Sequence, residues 1–243
     1  MPWWFAVVEA EHELQNPTSA EKIRLLGERL RLGPGSQVLD VASGKAGPAI
    51  VLAREFGCRI TCVERAAEFH AEAVERVRAA GLEGLIELVH GDAAAFPIEP
   101  GRWDVALCLG ASFVWHGLEP TLAALAPAVR AAGFVAVGEP YWRTWPLPEG
   151  FEPDEGEDFL ELAPTVERFS AAGLEPVALI AASDDDWDRY ESLHWHALDE
   201  WLATHADDQA AEEFRARGTR QRERYLRWER DVLGWAIIVG RKR

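Results

Sequence analysis

The sequence predicts an α/β fold: a doubly wound sheet, mostly parallel, with an antiparallel last strand and a helical insertion between strands six and seven. Three observations carry this. Short apolar runs of strand length alternate with longer amphipathic stretches from residue 37 to residue 182, the rhythm of a parallel sheet with right-handed crossovers. Hydrophobic residues make up 48% of the 243, enough to cover both faces of a central sheet. After a long helical stretch the chain ends in one more apolar run, residues 235–239.

Each element has its own signal. Thr18 or Ser19 caps a first helix whose apolar stripe is Ile23, Leu26 and Leu30, with Leu25 beside it, and Gly33-Pro34-Gly35 ends it. Residues 37–42 read as a first buried strand and 47–56 as a helix. Residues 59–64 form a second strand, 66–80 a helix, 85–90 a third strand and 103–109 a fourth. Residues 118–131 read as a helix kinked at Pro127, and 134–138 as a fifth strand. The acidic, proline-rich stretch 141–158 reads as a loop. Residues 165–172 form a helix and 174–181 a sixth strand. Ser183 caps a long helix opening on Asp184-Asp185-Asp186, and a second helix runs over 208–233. The expected organisation is one domain: an N-terminal helical segment (1–35), a core (36–182), an insertion (183–233) and a terminal strand (234–243). Parallel strands point their carboxyl ends at a ligand crevice, and the insertion leaves strand six at that end. It is expected to lie over the crevice as a lid; the alternative is a pair of packing helices.

Composition narrows the function. A net charge of −16, with no run of Lys or Arg, disfavours nucleic acid as a partner. No apolar stretch is long enough to span a membrane, and the N-terminus turns acidic without a basic region, so a cytoplasmic location is expected. Cys58, Cys62 and Cys108 sit in or beside strand-like runs, without ligand spacing; they are expected to be buried, reduced thiols, and no metal site is expected.

The chemistry concentrates at strand ends. The first strand runs into Asp40-Val41-Ala42-Ser43-Gly44-Lys45-Ala46-Gly47, a turn that lets a ligand approach the backbone and the amides opening the next helix. Glu64, with Arg65 beside it, closes the second strand, where a carboxylate can accept both hydroxyls of a ribose. Asp92 and Ala93 follow the third strand, and Leu109-Gly110-Ala111-Ser112 closes the fourth with small residues that leave room for a ligand.

In order and spacing these residues resemble the class I S-adenosylmethionine-dependent methyltransferases. The resemblance rests on Asp40 to Gly47, Glu64, Gly91-Asp92 and the strand Trp103 to Leu107, and the last strand extends it to the chain's end. It implies a Rossmann-like sheet with S-adenosylmethionine as cofactor and S-adenosylhomocysteine as product. It also implies that Asp40, Ala42, Ser43, Gly44 and Gly47 face the methionine moiety, Glu64 and Arg65 the ribose, and Asp92 and Ala93 the adenine, with Leu109 and Gly110 beside them. Ala42 and Ala46 stand where the family usually has glycine. The Asn/Asp-Pro-Pro-Tyr motif of base and amide methyltransferases is missing after strand four, which disfavours DNA or protein glutamine as acceptor. The sequence looks most like bacterial small-molecule methyltransferases.

The implied reaction is in-line attack of an acceptor on a sulfonium methyl. His116 is the leading candidate base, because imidazole titrates near neutrality; Glu139 and Tyr141 follow strand five, and His194 and His196 lie in the insertion. Trp3, Trp4, Trp115, Trp142, Trp145, Trp187 and Trp195 are expected near the crevice mouth. Two rivals remain: a nicotinamide-dependent oxidoreductase, since Gly44 and Gly47 followed by Glu64 suit a dinucleotide, and a non-catalytic binding protein on the same fold. The acceptor atom and the oligomeric state stay open.

Overall fold

A computed structural model describes residues 3–154 and 156–243. Among these residues, seven strands form one sheet in the order β3-β2-β1-β4-β5-β7-β6. They are β1 (Gln37–Val41), β2 (Arg59–Glu64), β3 (Ile86–His90), β4 (Trp103–Leu109), β5 (Val129–Trp142), β6 (Leu174–Ala181) and β7 (Leu233–Lys242). The helices are α1 (Trp4–Val8), α2 (Ala20–Arg29), α3 (Gly47–Phe56), α4 (Ala67–Ala80), α5 (Leu118–Leu125), α6 (Leu162–Ala171), α7 (Asp184–Thr204), α8 (Ala211–Arg224) and the short α9 (Arg230–Val232). Pairing is parallel from β3 to β5, and β7 slots between β5 and β6, antiparallel to both. The chain winds outward through β2 and β3 on one side of β1 and through β4 and β5 on the other. The reversal of strand order therefore falls between β1 and β4, and the crevice opens at their carboxyl ends.

Two apolar layers sandwich the sheet. Ile23, Leu26, Leu52, Ile60 and Leu107 belong to one; Leu39, Val63, Trp103, Leu122 and Val135 belong to the other. The caps read from the sequence at Ser19 and Ser183 both form. Ser19 caps α2 by accepting from the Lys22 amide, and Ser183 and Asp186 form a reciprocal capping box at α7. Gly57 and Gly81 end α3 and α4 in the left-handed conformation.

Four elements depart from the sequence reading. Helix α5 stops at Leu125 rather than continuing to 131, because Pro127 cannot prolong it and Val129 already pairs with Trp103. Strand β5 runs well beyond 134–138, because β7 offers it an unbroken ladder out to Trp142 opposite Leu233. The predicted helix over 208–233 is three pieces: α8, a π turn at Tyr225–Glu229, and α9. The five-residue α1 has no capping side chain and is too short to stand alone. It exists because Trp4, Val7 and Val8 bury themselves against Leu198, Ala210 and Phe214 at the α7–α8 end. No helix among the described residues is long and apolar enough to cross a membrane.

Candidate active site

The β1–α3 turn is held in an unusual backbone. Ala42, Gly44 and Ala46 all have positive φ, at 53°, 55° and 58°. Two of the three are alanines, so the turn carries strain that its surroundings must hold. Glu64 supplies part of that restraint. Its Oε2 accepts from the Gly44 amide at 2.8 Å and its Oε1 from the Ala66 amide at 2.6 Å, tying the two loops that follow β1 and β2. Each oxygen keeps a second lone pair for a ligand hydroxyl.

The rest of the restraint comes from a segment that carries no periodic signal, residues 9–16. Gln15 Oε1 accepts from the Lys45 amide at 2.7 Å, and Asn16 Nδ2 donates to the Leu109 carbonyl at 3.0 Å. A Cβ at Gly44 would lie 2.0 Å from Gln15 Oε1, one at Gly110 2.0 Å from Asn16 Oδ1, and one at Gly47 2.0 Å from the Glu13 carbonyl oxygen. These glycines thus make room for the protein's own N-terminal segment. Lys45 is buried and donates to the Ala10 carbonyl at 3.0 Å and to Glu72 at 2.8 Å, anchoring the segment further.

Beneath this roof lies a cavity of about 870 Å³, within the range of about 300–1,000 Å³ usual for small-molecule sites. Asp40, Ala42, Ser43 and Gly44 line it from β1, Glu64 and Arg65 from β2, Asp92 and Ala93 from β3, and Leu109, Gly110 and His116 from β4 and the turn after it. Asp40 is 2% exposed; its Oδ2 and the Ser43 Oγ are buried without a partner. Burial, and then the charge of Glu64, push the Asp40 carboxyl up to about 7. Asp92 uses Oδ1 to accept from the Ala94 amide at 2.9 Å. Two orphaned polar groups beside a row of carboxylates are what a ligand rich in ammonium and hydroxyl donors would satisfy. The residues present therefore fit an S-adenosyl donor.

Three predicted site residues lie elsewhere. Gly47 is buried under Glu13 at the start of α3. Glu139 is buried and does not line the cavity; it accepts from Ser112 Oγ at 3.0 Å, and burial pushes it up to about 7 against that bond. Tyr141 packs flat over Gly234 of β7. Glu139 and Tyr141 are drawn away because β5 continues past the crevice and pairs with β7. His116 ends a 3₁₀ turn (Ser112–Trp115) in the left-handed conformation and reaches the cavity rim. Of the seven tryptophans expected at the mouth, Trp3 alone lines the cavity; Trp4, Trp142 and Trp187 are buried in apolar clusters. Of the insertion, Tyr190 lines the cavity, whereas Trp3, Phe5, Glu9, Gln15 and Asn16 do so from the N-terminal segment. The cover is therefore mostly N-terminal, a role with no local sequence signature because its contacts join residues far apart in the chain.

A family model described as "Methyltransferase domain" matches residues 38–133, the stretch that holds β1 to β5 up to Gly133 and the strand-end acids. The chain belongs to the class I S-adenosylmethionine-dependent methyltransferases, and it is an enzyme that uses S-adenosylmethionine. It is 33% identical over 243 residues to the uncharacterized protein YjhP of Escherichia coli K12, with 98% of each chain covered. Among solved structures it is similar to an S-adenosylmethionine-dependent methyltransferase from Thiobacillus denitrificans in complex with S-adenosylhomocysteine, at 33% identity and a TM-score of 0.91, covering 100% of this chain and 99% of that one. A methyltransferase from Geobacter sulfurreducens, in complex with the same molecule, matches at 32% identity and a TM-score of 0.91, with the same coverage.

Proposed function

We propose that this enzyme transfers a methyl group to a small-molecule acceptor inside the roofed cavity, as a single domain in the cytoplasm. The observation that carries the reading is the convergence of Asp40, Glu64 and Asp92 on one cavity partly covered by residues 9–16. A concave cavity of this size suits a small acceptor, and the net charge of −16 disfavours nucleic acid. The three buried free cysteines suit a reducing compartment.

S-adenosylmethionine supplies an already activated methyl on a sulfonium sulfur. The chain's own residues bind, orient and exclude water. Asp40 and Ser43 take the amino-acid end, with Asp40 in its charged form against an ammonium. Glu64 accepts from the ribose hydroxyls and Asp92 from the adenine amine. Gly110 and Leu109 keep the wall low between donor and acceptor. The segment 3–16, with α7 behind it, acts as the cover, and alignment in a dry site is worth up to about 7–11 kcal/mol of barrier. His116, at the rim, takes the acceptor's proton. Calorimetric titration of the native protein and of Glu64→Gln with S-adenosylhomocysteine tests the donor half. Tight binding that drops in the variant supports it, and equal binding by both removes it. His116→Ala tests the base: donor binding should persist while turnover falls about 10²–10⁴-fold.

A further inference from the structure

The donor reading uses the strand-end residues and leaves one wall of the cavity unassigned. That wall comes from the N-terminal segment and α7, with Glu9, Tyr190 and the rings of Trp3 and Phe5, and it meets Phe69 of α4 through Trp3. We propose that Glu9 is the acceptor-recognising carboxylate and that the acceptor carries a positively charged nitrogen. The inference rests on the methyl-transfer reading and names the substrate class of the same site.

Glu9 is 6% exposed yet lines the cavity. Its Oε2 accepts from Gln15 Nε2, and Gln15 is itself fixed by the Lys45 amide. Its Oε1 lies 3.9 Å from His194 Nε2, too far for a hydrogen bond, and that nitrogen is buried with no partner. The other ring nitrogen of His194 is 3.8 Å from Glu191. Burial opposes the charge on His194, but Glu191 and Glu9 outweigh it and raise the imidazole to about 9. His12, its ring tilted against that of His194 with centroids 4.5 Å apart, is held down to about 4 by burial and by the His194 charge. The neutral His12 ring meets the Tyr190 carbonyl through Nε2 at 2.9 Å, which leaves Nδ1 a buried acceptor without a partner.

The charges around Glu9 therefore do not cancel. Glu9 and Glu191 face one imidazolium, and His12 contributes nothing. Lys45 is committed to Glu72 and the Ala10 carbonyl, and Arg65 sits next to Glu64 at the ribose end. Around Glu9 the carboxylates outnumber the cations, and the cavity also presents the rings of Trp3 and Phe69, centroids 4.9 Å apart, whereas the Phe5 ring already carries the Arg217 guanidinium at 5.9 Å. Carboxylate plus ring faces is the chemistry that holds an alkylammonium. The protein's overall charge of −16 draws cations and repels anions in the same sense.

The test uses the protein loaded with S-adenosylhomocysteine, so that the donor's own ammonium site is filled. It is titrated with a panel of primary to quaternary ammonium ions including choline, with the neutral isostere 3,3-dimethylbutan-1-ol, and with the anion 3,3-dimethylbutanoate. The expected result is cation binding at least about tenfold tighter than the alcohol, and none by the anion. Glu9→Gln should weaken the cation about tenfold or more and leave both the alcohol and S-adenosylhomocysteine within about threefold. Should Glu9→Gln fail to fold, Glu9→Asp, with the charge kept and the reach shortened, must weaken choline selectively. The proposal is overturned if no ammonium ion binds, if alcohol or anion binds equally well, or if Glu9→Gln leaves the cation unaffected. It is also overturned if Glu9→Gln loses S-adenosylhomocysteine, which would assign Glu9 to the donor. Failure of the native protein to bind S-adenosylhomocysteine would instead strike the methyl-transfer reading itself.

Discussion

Asp40→Asn should stabilise the ligand-free protein in a strongly pH-dependent way while weakening its hold on the donor. The carboxyl is 2% exposed, and burial, then Glu64, raise it from 3.8 to about 7. A group whose folded pKa is raised binds its proton more tightly in the native state. Its contribution favours folding below about pH 4 and is withdrawn as pH climbs through about 7. At roughly 1.4 kcal/mol per unit, a rise of about three units costs the native protein roughly 4 kcal/mol once both states are ionised. Asparagine never ionises and escapes this cost. It brings instead an amide without a partner, a penalty of about 1–3 kcal/mol that is the same at every pH. The stability of Asp40→Asn relative to native should therefore rise by roughly 3 kcal/mol between about pH 4.5 and about pH 8. Urea unfolding of both proteins without ligand, at the two pH values, reads this difference directly. Calorimetry with S-adenosylhomocysteine at the higher pH should show the opposite effect, a loss of about ten- to a hundredfold, since hydrogen bonds to charged groups are worth about 1.5–3 kcal/mol. A relative stability that stays flat across the two conditions would refute the burial argument, whatever happens to binding.

Other perturbations test other parts of the site and the fold. Glu64→Gln keeps an acceptor for one of the Gly44 and Ala66 amides and loses the charge, so S-adenosylhomocysteine affinity should fall about tenfold or more, read by calorimetry. Gly110→Ala places a methyl where Asn16 Oδ1 sits, at a φ of 77°, and should cost about 1–3 kcal/mol in unfolding experiments and expose residues 9–16 to limited proteolysis. His194→Gln should lose its stability difference from native as pH rises through about 9, because a raised imidazole stabilises the fold below its ordinary pKa and ceases to do so above the raised one. His116→Ala should retain donor affinity and turn over about 10²–10⁴-fold more slowly, measured by product formation once an acceptor is in hand.

The parts of the fold that were legible are those fixed by nearby residues. Strands β2, β4 and β6 and helix α3 have the limits their turns dictate, because glycine or charged residues interrupt each apolar run. The strand-end acids Asp40, Glu64 and Asp92 were legible for the same reason: their place follows from where each strand stops. What escaped depends on partners distant in sequence. The length of β5 is set by β7, a hundred residues later in the chain, and that pairing is also what carries Glu139 and Tyr141 out of the crevice. Helix α1 owes its existence to Phe214 and Leu198. Gly44 and Gly110 are legible as positions needing close approach, yet nothing local says that Gln15 and Asn16 are what approaches. The Glu9–His194–His12 group joins the first residues of the chain to α7, and no spacing rule spans that distance.

The most direct measurement is a crystal structure of the protein with S-adenosylhomocysteine. The molecule should lie under residues 9–16, with both ribose hydroxyls within about 2.5–3.2 Å of the Glu64 oxygens and the adenine amine on Asp92. Electron density for it anywhere else, or in this cavity with Glu64 turned away from the ribose, would contradict the account.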